Sequence, residues 1–238
     1  MSHRFRPAVL LAALVLGAAA LCLYRIAPVR AAGTISLTTA GVAVGENFNT
    51  LANTGTSSSV PNGWDFVESG SNANLAYTAG TGSSATGDTY SFGASGNADR
   101  AFGGLQSGSL VPTIGANFVN NTGVTITSLN VAYTGEQWRL GTLSRVDRLD
   151  FQISTNATSL TTGTWTDVDG LDFTAPVTGP ATGALDGNVA DNRRPINFTI
   201  TGLNIANGAT FWIRWASFDA SGADDGLAID DFFLTPNA

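Results

Sequence analysis

Beyond residue 43, apolar side chains recur at every second position rather than at every third or fourth. Leu129, Val131 and Tyr133 alternate with Asn130, Ala132 and Thr134, and Leu149, Phe151 and Ile153 with Asp150, Gln152 and Ser154. Phe198 and Ile200 alternate with Asn197 and Thr199, and Phe211, Ile213 and Trp215 with Trp212 and Arg214. A period of two sends successive side chains to opposite faces of a pleated strand, so these segments predict half-buried strands. Shorter runs predict further strands at 43–48, 63–68, 75–78, 89–92, 101–105, 114–119 and 227–234. Roughly eleven short strands separated by Gly, Asn and Ser turns predict an all-β fold of two antiparallel sheets packed as a sandwich. No linker divides the chain, which reads as a single domain over 32–238. Two segments are looser: a Gly/Ser/Thr loop at 80–87, and a long stretch at 173–195 carrying Pro176, Pro180 and Pro195. Loops of the second length usually carry function or move.

The N-terminal 31 residues have another character. Arg4 and Arg6 precede an apolar run from Ala8 to Tyr24, and Val29-Arg30-Ala31 supplies a cleavage site. This is the pattern of a secretory signal peptide at 1–31, with cleavage expected after Ala31 and a secreted product. The rival reading is an uncleaved anchor. A spanning helix needs about 20 apolar residues, more than this run provides.

Cleavage changes the chemistry available. His3, Cys22 and Met1 are the only residues of their kinds, and all three leave with the signal. The chain has no Lys, and four of its 11 Arg lie in the removed segment, while all 18 acidic residues lie beyond it. Seven arginines then face 18 acids, a net charge of −11. Phosphate contacts need clustered cations, so nucleic acid is not expected as a partner, and anionic membranes are disfavoured likewise. Without cysteine there can be no disulfide. Without His or Cys, neither a Ser-His-Asp triad nor a Cys-His pair is possible, and the usual zinc ligands are missing. Paired carboxylates could still hydrolyse glycosides, but only three Glu remain (46, 68 and 136) and no strand carries a Glu-x-Asp-x-x-Glu-like pattern.

The closing stretch, from Phe211-Trp-Ile-Arg-Trp through an Asp/Gly-rich turn to Ala228-Ile-Asp-Asp-Phe-Phe-Leu234, resembles the end of MAM-type and cleaved-adhesin-type jelly-roll domains. Glu46-Asn-Phe-Asn-Thr-Leu followed by Val60-Pro-Asn-Gly-Trp64 resembles their start. Thr89-Tyr-Ser-Phe-Gly93, Asp99-Arg-Ala-Phe-Gly-Gly104 and Tyr133-Thr-Gly-Glu-Gln-Trp-Arg139 are similar to an uncharacterised bacterial exported domain. That domain is often found N-terminal to extracellular nuclease or phosphoesterase modules. The resemblance implies a jelly-roll sandwich of the concanavalin or galactose-binding kind. It implies a binding or adhesion role rather than an activity. MAM domains carry cysteines that the mature chain lacks, so their receptor biology does not transfer.

In jelly rolls the first and last strands often lie close together. That makes Glu46 and Asn47 the expected partners of Asp230 or Asp231 in a Ca²⁺ site, a hard cation that takes oxygen ligands. Two adjacent acids on a strand point to opposite faces, so at most one of Asp230 and Asp231 is expected to face the core. The competing reading is a carboxylate that caps backbone amides or pairs with an arginine. Trp138 with Arg139, near Glu136, and Trp212 with Arg214 are candidate sugar platforms, the ring stacking and the polar groups gripping hydroxyls; Trp64 and Trp165 are further candidates. Against this, a tryptophan in a sandwich can simply fill the core. Arg145, Asp147, Arg148 and Asp150 are expected to form surface or sheet-face ion pairs, and Arg193-Arg194 to sit in a solvated loop. The expected function is a secreted, non-catalytic binding module, Ca²⁺-stabilised and directed at an extracellular glycan or surface protein. The alternatives are an accessory domain acting by protein contacts and, third, a glycoside hydrolase.

Overall fold

The computed structural model of the protein describes residues 33–238. The expected signal peptide, its cleavage point after Ala31, His3 and Cys22 lie outside the described residues. In chain order the strands are β1 (Ile35–Leu37), β2 (Val44–Glu46), β3 (Thr56–Ser57), β4 (Trp64–Ser69), β5 (Tyr77–Gly80), β6 (Asp88–Phe92), β7 (Ala101–Leu105) and β8 (Val111–Asn120). They continue with β9 (Ser128–Leu140), β10 (Arg148–Ser154), β11 (Thr166–Asp167), β12 (Phe173–Thr174), β13 (Gly183–Ala184), β14 (Arg193–Ile200), β15 (Thr210–Ser217) and β16 (Gly226–Asn237).

Two sheets divide these strands. The first is built on β8, β15 and β10, with β1 and β4 on the free edge of β8 and β11 and β12 on the free edge of β10. The second runs β9, β16, β7, β6, β5, β3; β13 and β14 share the other edge of β9, and β2 lies beside β16 next to β7. The expected wholly antiparallel pairing is corrected at two places. β1 runs parallel to β8, and β5 parallel to β6, so both sheets are mixed. A parallel neighbour needs a connection that returns along the strands instead of a hairpin. Residues 81–87 make that return between β5 and β6.

The sheets face one another across one aromatic core. Phe211, Ile213 and Trp215 of β15 and Leu149, Phe151 and Ile153 of β10 meet Leu129, Val131 and Tyr133 of β9 and Phe232 and Leu234 of β16. Trp215 sits edge-on to Tyr133 at 5.2 Å between centroids, and Trp64 edge-on to Phe232, also at 5.2 Å. Rings that meet edge to face add to the stability gained from their burial. These inward residues are the alternating positions of the sequence, so the period of two sets the architecture.

The 173–195 stretch is not structureless, since it contains β12, β13 and a short 3-10 turn at Ala190–Asn192. Arg193 and Arg194, expected in a loop, open strand β14 instead. Strand β9 runs past the alternating Leu129–Thr134 segment to Leu140 and so includes Glu136, Trp138 and Arg139.

Candidate functional site

The last strand carries a one-residue bulge. Asp230 pairs with Thr134 of β9 and Phe233 with Ala132, so three steps on β16 match two on β9. Asp231 takes up the difference in a left-handed conformation, at φ 47°. Asp tolerates this region better than most residues because its short side chain can bond locally. The bulge changes the parity of the strand. Leu227 and Ile229 face the core before it, and Phe232 and Leu234 after it. Neither Asp230 nor Asp231 therefore faces the core, in contrast to what simple alternation leads one to expect.

Beyond the bulge, Phe232 is 1 % exposed and Phe233 is 52 % exposed. Phe233 stands on the outer face of the second sheet, opposite Gly45 of β2. A Cβ at Gly45 would come within 2.7 Å of the Phe233 ring, so the bare backbone of β2 is what lets the ring lie there. Gly45, Glu46, Asn47, Asp231 and Phe233 line an open recess of about 330 Å³. Glu46 Oε1 accepts the Phe48 amide N–H at 2.8 Å, and Asn47 Oδ1 accepts that of Asn49 at 3.2 Å. These local bonds fix the chain where it leaves β2. The face continues as a neutral polar ladder, with Asn130 Nδ2 donating to Asn197 Oδ1 at 2.8 Å and to Thr199 Oγ1 at 3.1 Å.

Of the four residues expected to share a cation, Glu46, Asn47 and Asp231 meet in this recess and Asp230 does not. Asp230 is 4 % exposed, and its Oδ1 accepts the Asp231 amide N–H at 2.7 Å, which holds the bulge. Burial pushes its carboxyl up to about 8, with nearby Glu136 adding to the rise. Glu136, 1 % exposed, is pushed up to about 7 by burial, although the indole N–H of Trp138 donates to its Oε2 at 2.9 Å. Among the described residues, no three carboxylates are grouped so as to hold a metal ion.

The candidate sugar platforms take the other reading offered for them and pack. Trp138 is 2 % exposed, and its ring stacks on Phe92, which stacks in turn on Tyr90. Arg139 Nη1 donates to the carbonyls of Gly82 and Ser83 at 3.1 and 3.2 Å and so ties down the 81–87 return loop. Trp212 is 5 % exposed and packs with Ala157 and Leu160 on the outer face of the first sheet. Arg214 lies 4.0 Å above the Trp165 ring and donates to Gln152 Oε1 at 2.6 Å. Of the two further candidates, Trp64 is in the core, and Trp165 is half-buried against the Trp212 cluster with Arg214 over its ring. Neither Trp138 nor Trp212 presents an open ring face, because each has a loop folded over it. Gly187 lies against the Trp138 indole, while each neighbouring arginine holds loop carbonyls, Arg139 those of Gly82 and Ser83 and Arg214 that of Leu160.

The Arg145 region is likewise an interior one. Its guanidinium lies 3.0 Å from Asp147 and 3.5 Å from both Asp224 and Asp225. Asp225 also accepts the Gly141 amide at 2.7 Å and the Gln137 side-chain amide at 2.7 Å. Burial pushes both Asp224 and Asp225 up to about 6. One cation among three carboxylates ties the 218–225 turn to the strand end at 147. Only the Arg148–Asp150 pair lies toward the surface as expected.

Phe233 is the residue that sequence reasoning missed. A signal was present: two adjacent phenylalanines on a strand cannot both face the core.

No protein-family model matches the chain, and no curated protein matches it. Solved structures similar to it include the K3 cleaved adhesin domain of Lys-gingipain from Porphyromonas gingivalis w83, at 10 % identity and a TM-score of 0.44, over 74 % of this chain and 92 % of that one. A second is TmCBM61 in complex with beta-1,4-galactotriose, at 11 % identity and a TM-score of 0.35, over 72 % and 88 %. A third is the CBM22-1–GH10 modules of Clostridium thermocellum endo-1,4-beta-D-xylanase 10B complexed with xylohexaose, at 11 % identity and a TM-score of 0.35. That match covers 85 % of this chain and 29 % of the xylanase chain. The candidate site is accordingly defined by this chain's own residues, Phe233 over Gly45 with the oxygens of Glu46, Asn47 and Asp231 beside it.

Proposed function

We propose that this chain is an exported, non-catalytic binding module of jelly-roll type that holds a neutral glycan in the Phe233 recess. The observation that carries the reading is an exposed aromatic ring, fixed against a strand backbone, with two carboxylates and an amide at its border. A sugar ring has apolar C–H faces and a rim of hydroxyls. Phe233 suits the first, and the acceptors of Glu46, Asn47 and Asp231 suit the second. Single exposed apolar residues are ordinary on protein surfaces. Phe198 is also exposed within a strand, but it pairs with core residue Val131 and lies against Gly170. Phe233 differs from it, and from Val42, Leu75, Val124, Leu143, Val146, Val189 and Phe218, all exposed outside the strands, in standing on the outer face of a sheet and lining a recess.

Charge narrows the ligand class. Glu46 and Asp231 border the recess, and the chain beyond residue 31 has a net charge of −11. Uronic-acid or sulfated glycans would be repelled, which favours neutral ones. The non-catalytic part of the proposal is supported by the burial of Glu136 and Asp230, the two acids with the most raised carboxyls. A glycosidase must present its acid pair to the substrate.

Calcium enters the same proposal through Glu46, Asn47 and Asp231, without Asp230. Ca²⁺ takes six to eight oxygens at most sites, so backbone carbonyls and water would complete the shell. An ion there would neutralise two carboxylates and fasten β2 to β16.

The test is binding of the Phe233→Ala variant to immobilised neutral polysaccharides, with and without calcium. Retention of the wild type and loss in the variant, at an unchanged melting temperature, is the expected result. Equal retention of both, or of neither, overturns the glycan reading.

A further inference from the structure

A second recess adjoins the first. Ile35, Ser36, Val44, Gly45, Glu46, Asn62, Trp64 and Phe232 line an opening of about 230 Å³. It lies at the seam between the sheets, where β1 and β4 end the first sheet and β2 borders the second. Gly45 and Glu46 belong to both recesses. The two hollows are therefore the two sides of strand β2, and Glu46 stands on the ridge between them.

We propose that the two recesses form one groove, and that the ligand is an internal stretch of a polysaccharide crossing β2, with one sugar on Phe233 and the chain continuing into the seam beside Asn62. This rests on the glycan reading of the Phe233 recess. Three observations support it. Ligand sites usually begin at roughly 300 Å³; the outer recess barely reaches that size and the seam recess falls short, whereas joined they make a site of ordinary size. The ridge carries no side chain of its own at Gly45, and the Phe233 ring lies directly on its backbone, so the platform reaches the ridge itself. The seam also has an unused donor in its wall: Trp64 is buried and its indole N–H has no partner in the protein. A buried donor left unpaired costs free energy that a hydroxyl acceptor would recover.

Chain-length dependence separates this groove from a single-sugar pocket. A closed pocket would bind a chain end, with short and long oligosaccharides bound alike. An open groove gains contacts with each sugar laid in it. Binding can be measured by calorimetry on the 32–238 chain against disaccharides and hexasaccharides of β-1,4-linked glucose, xylose and galactose. Asn62→Trp fills the seam from an exposed position, and Phe233→Ala removes the platform.

The expected result is a hexasaccharide bound at least about tenfold more tightly than its disaccharide, a difference of about 1.4 kcal/mol. Asn62→Trp should bring the hexasaccharide down to the disaccharide level without weakening the disaccharide. Phe233→Ala should abolish both. If disaccharide and hexasaccharide bind equally and Asn62→Trp changes neither, the groove is wrong while the Phe233 site stands. If Phe233→Ala binds like the wild type, or no member of the panel binds, the site itself is wrong. Asn62→Ala, which leaves the seam open, should keep most of the hexasaccharide affinity; a loss as large as that of Asn62→Trp would point to a disturbed fold and overturn the steric argument.

Discussion

Gly45 and Phe233 are partners across the β2–β16 pair, and the phenyl ring occupies the space that a side chain at position 45 would need. Gly45→Ala is therefore expected to push the ring off its seat. Gly45 is exposed and its backbone needs no left-handed conformation, so the melting temperature should stay within a few degrees of the wild type while neutral-glycan affinity falls about tenfold or more. A paired melt and calorimetric titration of the one variant checks both halves.

Stability should decline as pH rises. Asp230 is raised to about 8 and Glu136 to about 7, both above their unfolded values. For an acid raised in the folded state, the protonated form is the one the fold prefers. Its contribution is complete below the unfolded value near 4 and is lost as pH climbs through 7 to 8. Asp224 and Asp225, raised to about 6, act in the same direction at lower pH. Melting curves from pH 4.5 to 9 should fall throughout. Asp230→Asn, which keeps an acceptor for the Asp231 amide, should flatten the upper part of that fall and stabilise the protein by a few kcal/mol at pH 9. A profile for this variant parallel to that of the wild type would contradict the assignment.

Arg145→Met leaves Asp147, Asp224 and Asp225 without their cation. Removing one member of a buried charge group costs about 3–5 kcal/mol, because the remaining charges are uncompensated. The penalty should be largest at pH 8 and shrink toward pH 5, where Asp224 and Asp225 take up protons. Urea denaturation at the two pH values measures it.

Trp138→Ala should lower stability by about 3–5 kcal/mol, the usual cost of truncating a buried tryptophan. Trp138→Phe keeps the stacking on Phe92 but removes the donor to Glu136, and should cost less. Neither change should alter affinity for neutral glycans measured under conditions where the variant is folded. Glycan affinity lost in Trp138→Phe at full folding would return this ring to the binding surface.

Calcium should raise the melting temperature through the Glu46, Asn47 and Asp231 recess. At about 100 times its dissociation constant a bound ion contributes about 2.7 kcal/mol. The rise should vanish in Glu46→Gln and in Asp231→Asn but persist in Asp230→Asn. An EDTA-treated sample whose melting curve does not respond to added calcium would falsify the cation part of the proposal.

The strands of five or more residues were legible because a buried face forces alternation, and β7 coincides with its expected bounds. The strands missed, β1, β3, β11, β12 and β13, have two or three residues, too few for a period to show. The site was legible only in part. Glu46, Asn47 and Asp231 were named from the closeness of the first and last strands, and they do line one recess. Trp138 and Trp212 were not legible as buried, because a strand shows which face a side chain takes but not whether a distant loop covers that face. Gly187 in the 173–195 stretch covers the first, and residues 155–165 cover the second. Phe233 was hidden by the bulge, since alternation counted from Leu227 sends position 233 inward.

That extra residue at Asp231 acts on β16 as a frameshift acts on a message. The two halves of the strand are read in different phases, and the border between them falls where the recess begins. Deleting Asp231 would restore a single phase with Phe232 still inward and Phe233 still outward, whereas straightening the strand with Asp231 kept in the pairing would turn Phe232 out to solvent and Phe233 into the core. In that second case two residues of equal size and chemistry would exchange duties, with composition unchanged. Which of the two rings faces out is therefore decided by the backbone at Asp231, whose left-handed conformation keeps the extra residue out of the pairing.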